Sequence, residues 1–381
     1  MKIQQMRPIQ MVDLAAQMAP IRSEIDAAIA SVLDTTSFIQ GPAVKNFVSQ
    51  LSQYIGGAEV IPCANGTDAL QIAMMALGLE PGDEVMVPVF TYVATAEVIA
   101  LLRLKPVFVD VDANSFNLDP NALANKLTSK TKAIVPVHLF GQCADMAPIL
   151  DFAQQHGLFV IEDTAQAIGA VYTFPDGTTM QAGTMGHIGT TSFFPSKNLG
   201  GYGDGGAIFT RDLVLAEQMR KIANHGQTKL YHHGLVGVNS RLDSLQAAIL
   251  GVKLAHLDRY ASSRQAAAQK YDEAFGALEG VKIPFRAENS THVFHQYTLT
   301  LPAEKRDAIQ AFLEAAGVPC KVYYPIPLHL QEAYLHADAQ PGDYPISESL
   351  CQSVLSLPMH TELDEEQLQY IIQKVKEAIL I

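Results

Sequence analysis

The chain is poor in several things at once. Four cysteines (Cys63, Cys143, Cys320 and Cys351) are scattered over 381 residues, and no two form a CxxC pair. Without metal or disulfide spacing they read as free thiols in a reducing compartment. Basic charge is scarce: 26 Lys and Arg stand against 39 Asp and Glu, a formal net charge of −13. That balance excludes a sequence-independent grip on nucleic acid or on an acidic membrane surface. An anionic small molecule stays possible, since it needs only a local cationic or amide-lined site. No apolar run is long enough for a membrane span. Met1 to Ala30 carries Lys2, Arg7, Asp13, Arg22, Glu24 and Asp26 at intervals, so no signal peptide is expected. With 48% hydrophobic and 17% charged residues, disorder and coiled coil are excluded as well. A soluble, cytoplasmic globular protein is the expectation.

What is present is an alternation of short apolar runs and helix-length segments. Val60–Cys63, Glu84–Val87, Pro106–Val109, Ala133–Val137 and Phe159–Ile161 read as buried strands. Ala69–Leu77, Ala94–Leu104 and Met146–His156 read as helices between them. Continuous hydrophobicity suits strands covered on both faces, hence a mainly parallel α/β sheet with ligands at the strands' carboxyl ends. Arg259–Leu278 reads as a long connecting helix. Beyond it lie strand-like pieces, Gln296–Leu301 and Pro319–Tyr323, and helical patterns, Ala303–Ala316 and Asp364–Leu380. The expected organisation is a large domain over 1–258 and a smaller α+β domain over 259–381, with 259–278 joining them. Tyr172–Gly189, rich in Gly, Thr and Pro, reads as a surface excursion. Leu330–Tyr344 reads as a loop or mobile segment.

One lysine carries the most chemistry. Lys197 sits in Thr191-Ser192-Phe193-Phe194-Pro195-Ser196-Lys197-Asn198, followed by a glycine-rich run to Gly206. Burying an ammonium is costly unless it is paired or neutralised, and an amine with a depressed pKa is a nucleophile toward aldehydes. Asn65-Gly66-Thr67-Asp68 follows a strand and opens a helix, which suits either a phosphate cradle or a plain helix cap. Glu162-Asp163 ends another strand. Glu162 reads as a solvated loop residue or a cap. Asp163 could hold the nitrogen of a pyridine ring protonated. Tyr92, in Phe90-Thr91-Tyr92-Val93, could stack on a flat cofactor or sit in the core. Arg241, in Asn239-Ser240-Arg241-Leu242-Asp243, could pair with Asp243 or bind an anion. The histidines, including His225, His232, His233, His138 and His187, lack the spacing of a metal site, and no metal is expected.

These motifs, in this order, resemble the sugar aminotransferases of the DegT/DnrJ/EryC1/StrS family over essentially the whole chain. The resemblance implies an aspartate aminotransferase-type fold (fold type I), in which a mainly parallel mixed sheet carries pyridoxal 5′-phosphate. It implies Lys197 as the Schiff-base lysine, Asp163 at the ring nitrogen, Gln166 near the ring hydroxyl and Tyr92 stacked on the ring. Gly66, Thr67 and Ser192 would hold the phosphate. Asn239 would reach the phosphate of a partner subunit, so a homodimer with shared sites is implied. Within the family the wording is nearest to enzymes that aminate the 3-keto group of UDP-linked 2-acetamido-hexuronic acids, with L-glutamate as donor, for surface polysaccharide. It includes His225-Gly226-Gln227, Tyr231-His232-His233 and Val236–Asp243. By that resemblance Arg241, Tyr323 and Tyr324 meet the substrate, Arg241 its carboxylate. Tyr323 stands where those enzymes carry a histidine. A 4-keto-6-deoxy sugar aminotransferase and a non-catalytic binder are the alternatives.

Overall fold

The computed structural model describes residues 7–334 and 340–380. Its strands are β1 (Glu59–Cys63), β2 (Glu84–Pro88), β3 (Lys105–Val109), β4 (Thr131–Ile134), β5 (Phe159–Asp163), β6 (Val171–Thr173), β7 (Thr179–Gln181), β8 (Ile188–Ser192) and β9 (Gly206–Thr210). Later come β10 (Gln227–Lys229), β11 (His232–His233), β12 (Tyr297–Thr300) and β13 (Val354–Leu357). Seven of them form one sheet in the order β1-β9-β8-β5-β4-β2-β3. Only β9 runs against its neighbours; the other pairings, β8 with β5 through to β3, are parallel. This is the mainly parallel sheet expected from the apolar runs, mixed as the resemblance implies. β2 and β9 are buried at every position, as strands covered on both faces must be.

Helices Gly66–Ala76, Ala94–Leu101 and Met146–His156 fall where the periodicity places them. The connecting helix spans Leu257–Phe275. It packs into a second core with β12, β13 and the helices Ala303–Ala315 and Glu365–Ile379. Asp364 closes a capping box with Gln367 at the start of the last helix. Pro319–Tyr323 is not a strand; a single bridge, Lys321 to Ser356, is all that forms. Of Leu330–Tyr344, residues 335–339 lie outside the described residues.

Two expectations are corrected. Tyr172–Gly189 is a surface excursion only at its hairpin tip, where Pro175–Thr179 are exposed; its ends turn inward. Tyr172 is fully buried, β6 and β7 form a hairpin, and Ile188 and Gly189 already belong to β8 in the middle of the sheet. Glu162 is neither solvated nor a cap; it is wholly buried. Its Oε2 accepts from His138 Nε2 at 2.9 Å and Gly183 N at 2.8 Å. Its Oε1 accepts from Met185 N at 2.7 Å and Gly186 N at 2.6 Å. His138 Nδ1 accepts from Ala144 N, so the ring proton sits on Nε2 and points at the carboxylate. Gly183 and Gly186 therefore serve an inward turn around a buried anion, while Gly177 lies at the exposed hairpin tip, and composition alone does not distinguish the two uses.

Removing this carboxylate strands four buried donors. Glu162→Ala is expected to cost about 3 kcal/mol of folding stability, read by urea denaturation at neutral pH. A loss near zero would show that water replaces the carboxylate without penalty.

Candidate active site

The carboxyl end of β5, the turn after β8 and the start of helix Gly66–Ala76 lie side by side, with Asp163 acting on Lys197 and Gly66 set against Ser192. Asp163 ends β5 and is 7% exposed. Thr95 Oγ1 donates to its Oδ2 at 2.9 Å, and Ala165 N to its Oδ1 at 3.1 Å. Each carboxylate oxygen thus has one fixed donor and keeps further lone pairs for another group. Thr95 lies three residues beyond Tyr92 and was not singled out in the sequence; nothing local signals a contact to a residue 68 positions away.

Lys197 stands in the turn after β8, held by its own N–H on Phe194 O at 2.8 Å. Burial pushes its ammonium down to about 8 from the usual 10.5, while the negative charge of Asp163 pulls the other way. The low-polarity surroundings win, and a large neutral fraction of amine results near neutral to mildly basic pH. Asn198 tethers this turn: its Nδ2 donates to Val293 O at 3.0 Å, and its Oδ1 faces His295 Nδ1 at 3.2 Å. Burial, with Lys197 and Arg264 as neighbouring cations, keeps the His295 imidazole neutral.

Gln166 is fixed from both ends. Phe140 N–H donates to its Oε1 at 2.7 Å, and its Nε2 donates to Tyr324 Oη at 3.2 Å. Tyr324 in turn lies 6.4 Å from the ring of Tyr92 and 6.0 Å from that of Tyr323. Burial pushes both the Tyr323 and Tyr324 phenols up, so both are neutral donors. Tyr92 is 59% exposed, which removes the core-aromatic reading and leaves its face free.

At the other end, Asn65 caps helix Gly66–Ala76 by accepting from Asp68 N at 2.8 Å. The cap reading is correct, and the cradle reading survives beside it. A Cβ on Gly66 would stand 2.7 Å from Ser192 Cβ, so only glycine brings this helix start against Ser192. The amides at Gly66 and Thr67 and the Ser192 hydroxyl then share one corner, at the positive end of a helix dipole.

Asn239 and Arg241 stand apart from this group. Ser240 Oγ accepts from Ala64 N at 3.0 Å, so the segment abuts the Asn65–Gly66 turn. Asn239 itself is exposed. Arg241 Nε donates to Asn239 Oδ1 at 2.8 Å rather than pairing with Asp243. Arg241 lines a cleft of about 560 Å³ together with Lys45, Arg220, Lys221 and Asn224.

A half-buried amine of lowered pKa, a buried carboxylate and an amide-lined corner, at the strand ends of this sheet, define a fold type I pyridoxal phosphate enzyme of the transaminase class. The chain belongs to the DegT/DnrJ/EryC1/StrS aminotransferase family, which it matches over residues 20–376. It is 48% identical to the UDP-2-acetamido-2-deoxy-3-oxo-D-glucuronate aminotransferase of Pseudomonas aeruginosa, over 95% of this chain and 98% of that protein. It is 44% identical to a UDP-N-acetyl-3-dehydro-alpha-D-glucosamine 3-aminotransferase of Acidithiobacillus ferrooxidans, over 97% and 98%. The crystal structure of Streptomyces venezuelae DesV in complex with a ketimine intermediate superposes with a TM-score of 0.93 at 38% identity, covering 98% of each chain. The cofactor is pyridoxal 5′-phosphate, and the pocket fits it. The corner at Gly66 suits a phosphate, the free valences of Asp163 suit a pyridinium N–H, and Lys197 suits an aldehyde carbon.

Two outcomes follow. The apoprotein should capture pyridoxal phosphate, followed by absorbance, faster as pH rises through about 8 and level off above it, because only the neutral Lys197 amine attacks. A rise that continues toward 10.5 would show that burial does not depress this lysine. Thr95→Val removes a donor to a charged group and should lower kcat/KM about tenfold with Tm nearly unchanged, while Thr95→Ser restores it. Equal rates in the valine variant and wild type would remove Thr95 from the site.

Proposed function

We propose that the chain transfers an amino group from L-glutamate to the 3-keto group of a UDP-linked 2-acetamido-2-deoxy-hexuronic acid, for surface polysaccharide such as O-antigen. The observation that carries the reaction is Lys197, half-buried near the charge of Asp163 with its ammonium pushed down to about 8. The relative whose name states a 3-oxo-glucuronate substrate supports the choice of sugar.

In this reading Lys197 Nζ would hold the cofactor between turnovers and Asp163 would meet its ring nitrogen. Gln166 would serve the ring hydroxyl, Tyr92 would cover the ring, and Gly66, Thr67 and Ser192 would hold the phosphate. Pyridoxal phosphate, when bound, supplies an electron sink and stores the amino group between two half-reactions. With the cofactor bound, Lys197 Nζ would take the proton from the donor's α-carbon and return it to the cofactor's C4′ carbon, across the shared nitrogen; with the keto sugar it would run the same transfer in reverse. Its lowered pKa lets one group serve as base and then acid near working pH. The Asp163 carboxylate, fixed by Thr95 and Ala165, holds a positive charge at the nitrogen where electron density gathers.

Arg241 would take the uronate carboxylate, and Tyr323 and Tyr324 would offer neutral hydroxyls to the sugar. Asn239, exposed here, would complete a second subunit's phosphate corner in a homodimer. The exposed apolar side chains Leu230, Tyr231 and Val236, just before it, suit burial against that second copy.

The test mixes the amine-loaded enzyme with three ketones: a UDP-linked 3-keto-2-acetamido uronate, its neutral 3-keto-2-acetamido-glucose counterpart, and a 4-keto-6-deoxy sugar as its UDP and dTDP forms. Return of the visible band of the lysine-bound cofactor reports transfer. The uronate should react fastest, and Lys197→Ala should slow turnover by about 10⁴-fold. Preference for the 4-keto-6-deoxy sugar would overturn the substrate; unchanged turnover in the alanine variant would overturn Lys197.

A further inference from the structure

Behind the lysine turn lie two buried cations without a carboxylate. Lys253, in helix Ser244–Leu254, and Arg264, in helix Leu257–Phe275, are each 1% exposed. Among the described residues no acidic side chain acts on either. They hold main-chain carbonyls instead. Lys253 Nζ donates to Gly200 O at 2.5 Å, and Arg264 Nη1 to Phe294 O at 3.0 Å and Met359 O at 2.8 Å. Gly200 belongs to the turn that carries Lys197, and Phe294 adjoins His295, which faces Asn198.

These bonds leave donors over. Arg264 Nε is buried and has no partner. His360, 2% exposed, accepts Glu362 N–H on Nδ1, so its proton is on Nε2, and that atom is also buried without a partner. The Tyr202 hydroxyl is a third such group, and Lys253 Nζ lies 5.4 Å from the centre of the Tyr202 ring. The groups sense one another. Burial first and Arg264 second push Lys253 down to about 8 and His360 down to about 4. Asp13 and Asp364, the carboxylates acting on His360, are committed elsewhere: Asp13 caps a helix at Ala16 N, Asp364 caps another at Gln367 N, and both face Arg7.

A water here would give Arg264 Nε–H and His360 Nε2–H an acceptor, but it would leave the two cations without a counter-charge. An acceptor-only ligand with negative charge answers both deficits. We propose that Lys253, Arg264 and His360 enclose a site for one monovalent anion of halide size, which ties the Lys197 turn to Phe294 and Met359. It lies outside the residues that would hold cofactor or sugar.

The probe is bromide. Crystals of the holoenzyme grown with sodium bromide in place of chloride, measured at the bromine absorption edge, should show an anomalous peak in contact with Lys253 Nζ and Arg264 Nε. Light-atom density there without an anomalous peak overturns the site. In solution at constant ionic strength, Tm should be about 2 °C or more higher in chloride or bromide than in gluconate. Lys253→Met should lose that difference and Lys253→Arg keep it. No halide effect in wild type, or the same effect in Lys253→Met, overturns the proposal; should the methionine variant not fold, the anomalous map decides.

Discussion

Everything at this site depends on the alternation of side chains at the last two residues of β5. Successive residues of a strand face opposite sides of a sheet. Glu162 and Asp163 are therefore two carboxylates with separate surroundings one peptide bond apart. Glu162 turns toward His138 and the amides of Gly183, Met185 and Gly186. Asp163 turns toward Thr95 and the pocket of Lys197. The first is saturated by four donors and anchors the fold. The second is held by two and keeps capacity for a ligand. A slip of one residue would exchange the two roles, so the parallel pairing of Asp163 with Thr190 of β8 fixes the chemistry as well as the architecture.

The two lysines of lowered basicity make the same point about surroundings. Lys197 and Lys253 both have ammonium groups pushed down to about 8, chiefly by burial. Lys253 donates a hydrogen bond to Gly200 O and is thereby fixed in place. Lys197 makes no side-chain hydrogen bond among the described residues and has Asp163 as its electrostatic neighbour. A lysine bonded to a carbonyl is a brace; a lysine of the same pKa with its amine free is a nucleophile. Lowered basicity alone does not separate them, and the hydrogen-bond partner does.

That distinction also marks what sequence could show. The strand and helix order was legible because apolar runs and helical periods are local. Met146–His156 falls on its helix end for end, and Asn65 caps its helix as its position suggests. Lys197, Asp163, Gln166 and Gly66 were legible because each sits in a motif of contiguous residues. Glu162 was misread because its donors are spread from His138 to Gly186. The inward half of Tyr172–Gly189 was missed because glycine serves an inward turn as readily as an outward one. Thr95, Asn198, His295 and Lys253 escaped notice for a related reason: their partners lie 53 to 97 residues away along the chain.

The division between buried and exposed residues bears on specificity. Asp163, Thr95, Gln166 and Gly66 are locked by buried hydrogen bonds or close contact, so changing any of them disturbs several others. Tyr92, Asn239 and Arg241 are exposed or half-exposed and bonded to few partners. Tyr323 is half-buried and in ring contact with Tyr324. Residues of this second kind can be replaced without repacking the core, so the preferred sugar can drift while the proton-transfer chemistry stays fixed. On that argument Tyr323, standing where a histidine is expected, replaces a titratable group by a neutral hydroxyl. In the proposed reading the charge offered to the sugar would then fall to Arg241, and recognition of a uronate carboxylate would rest on its guanidinium.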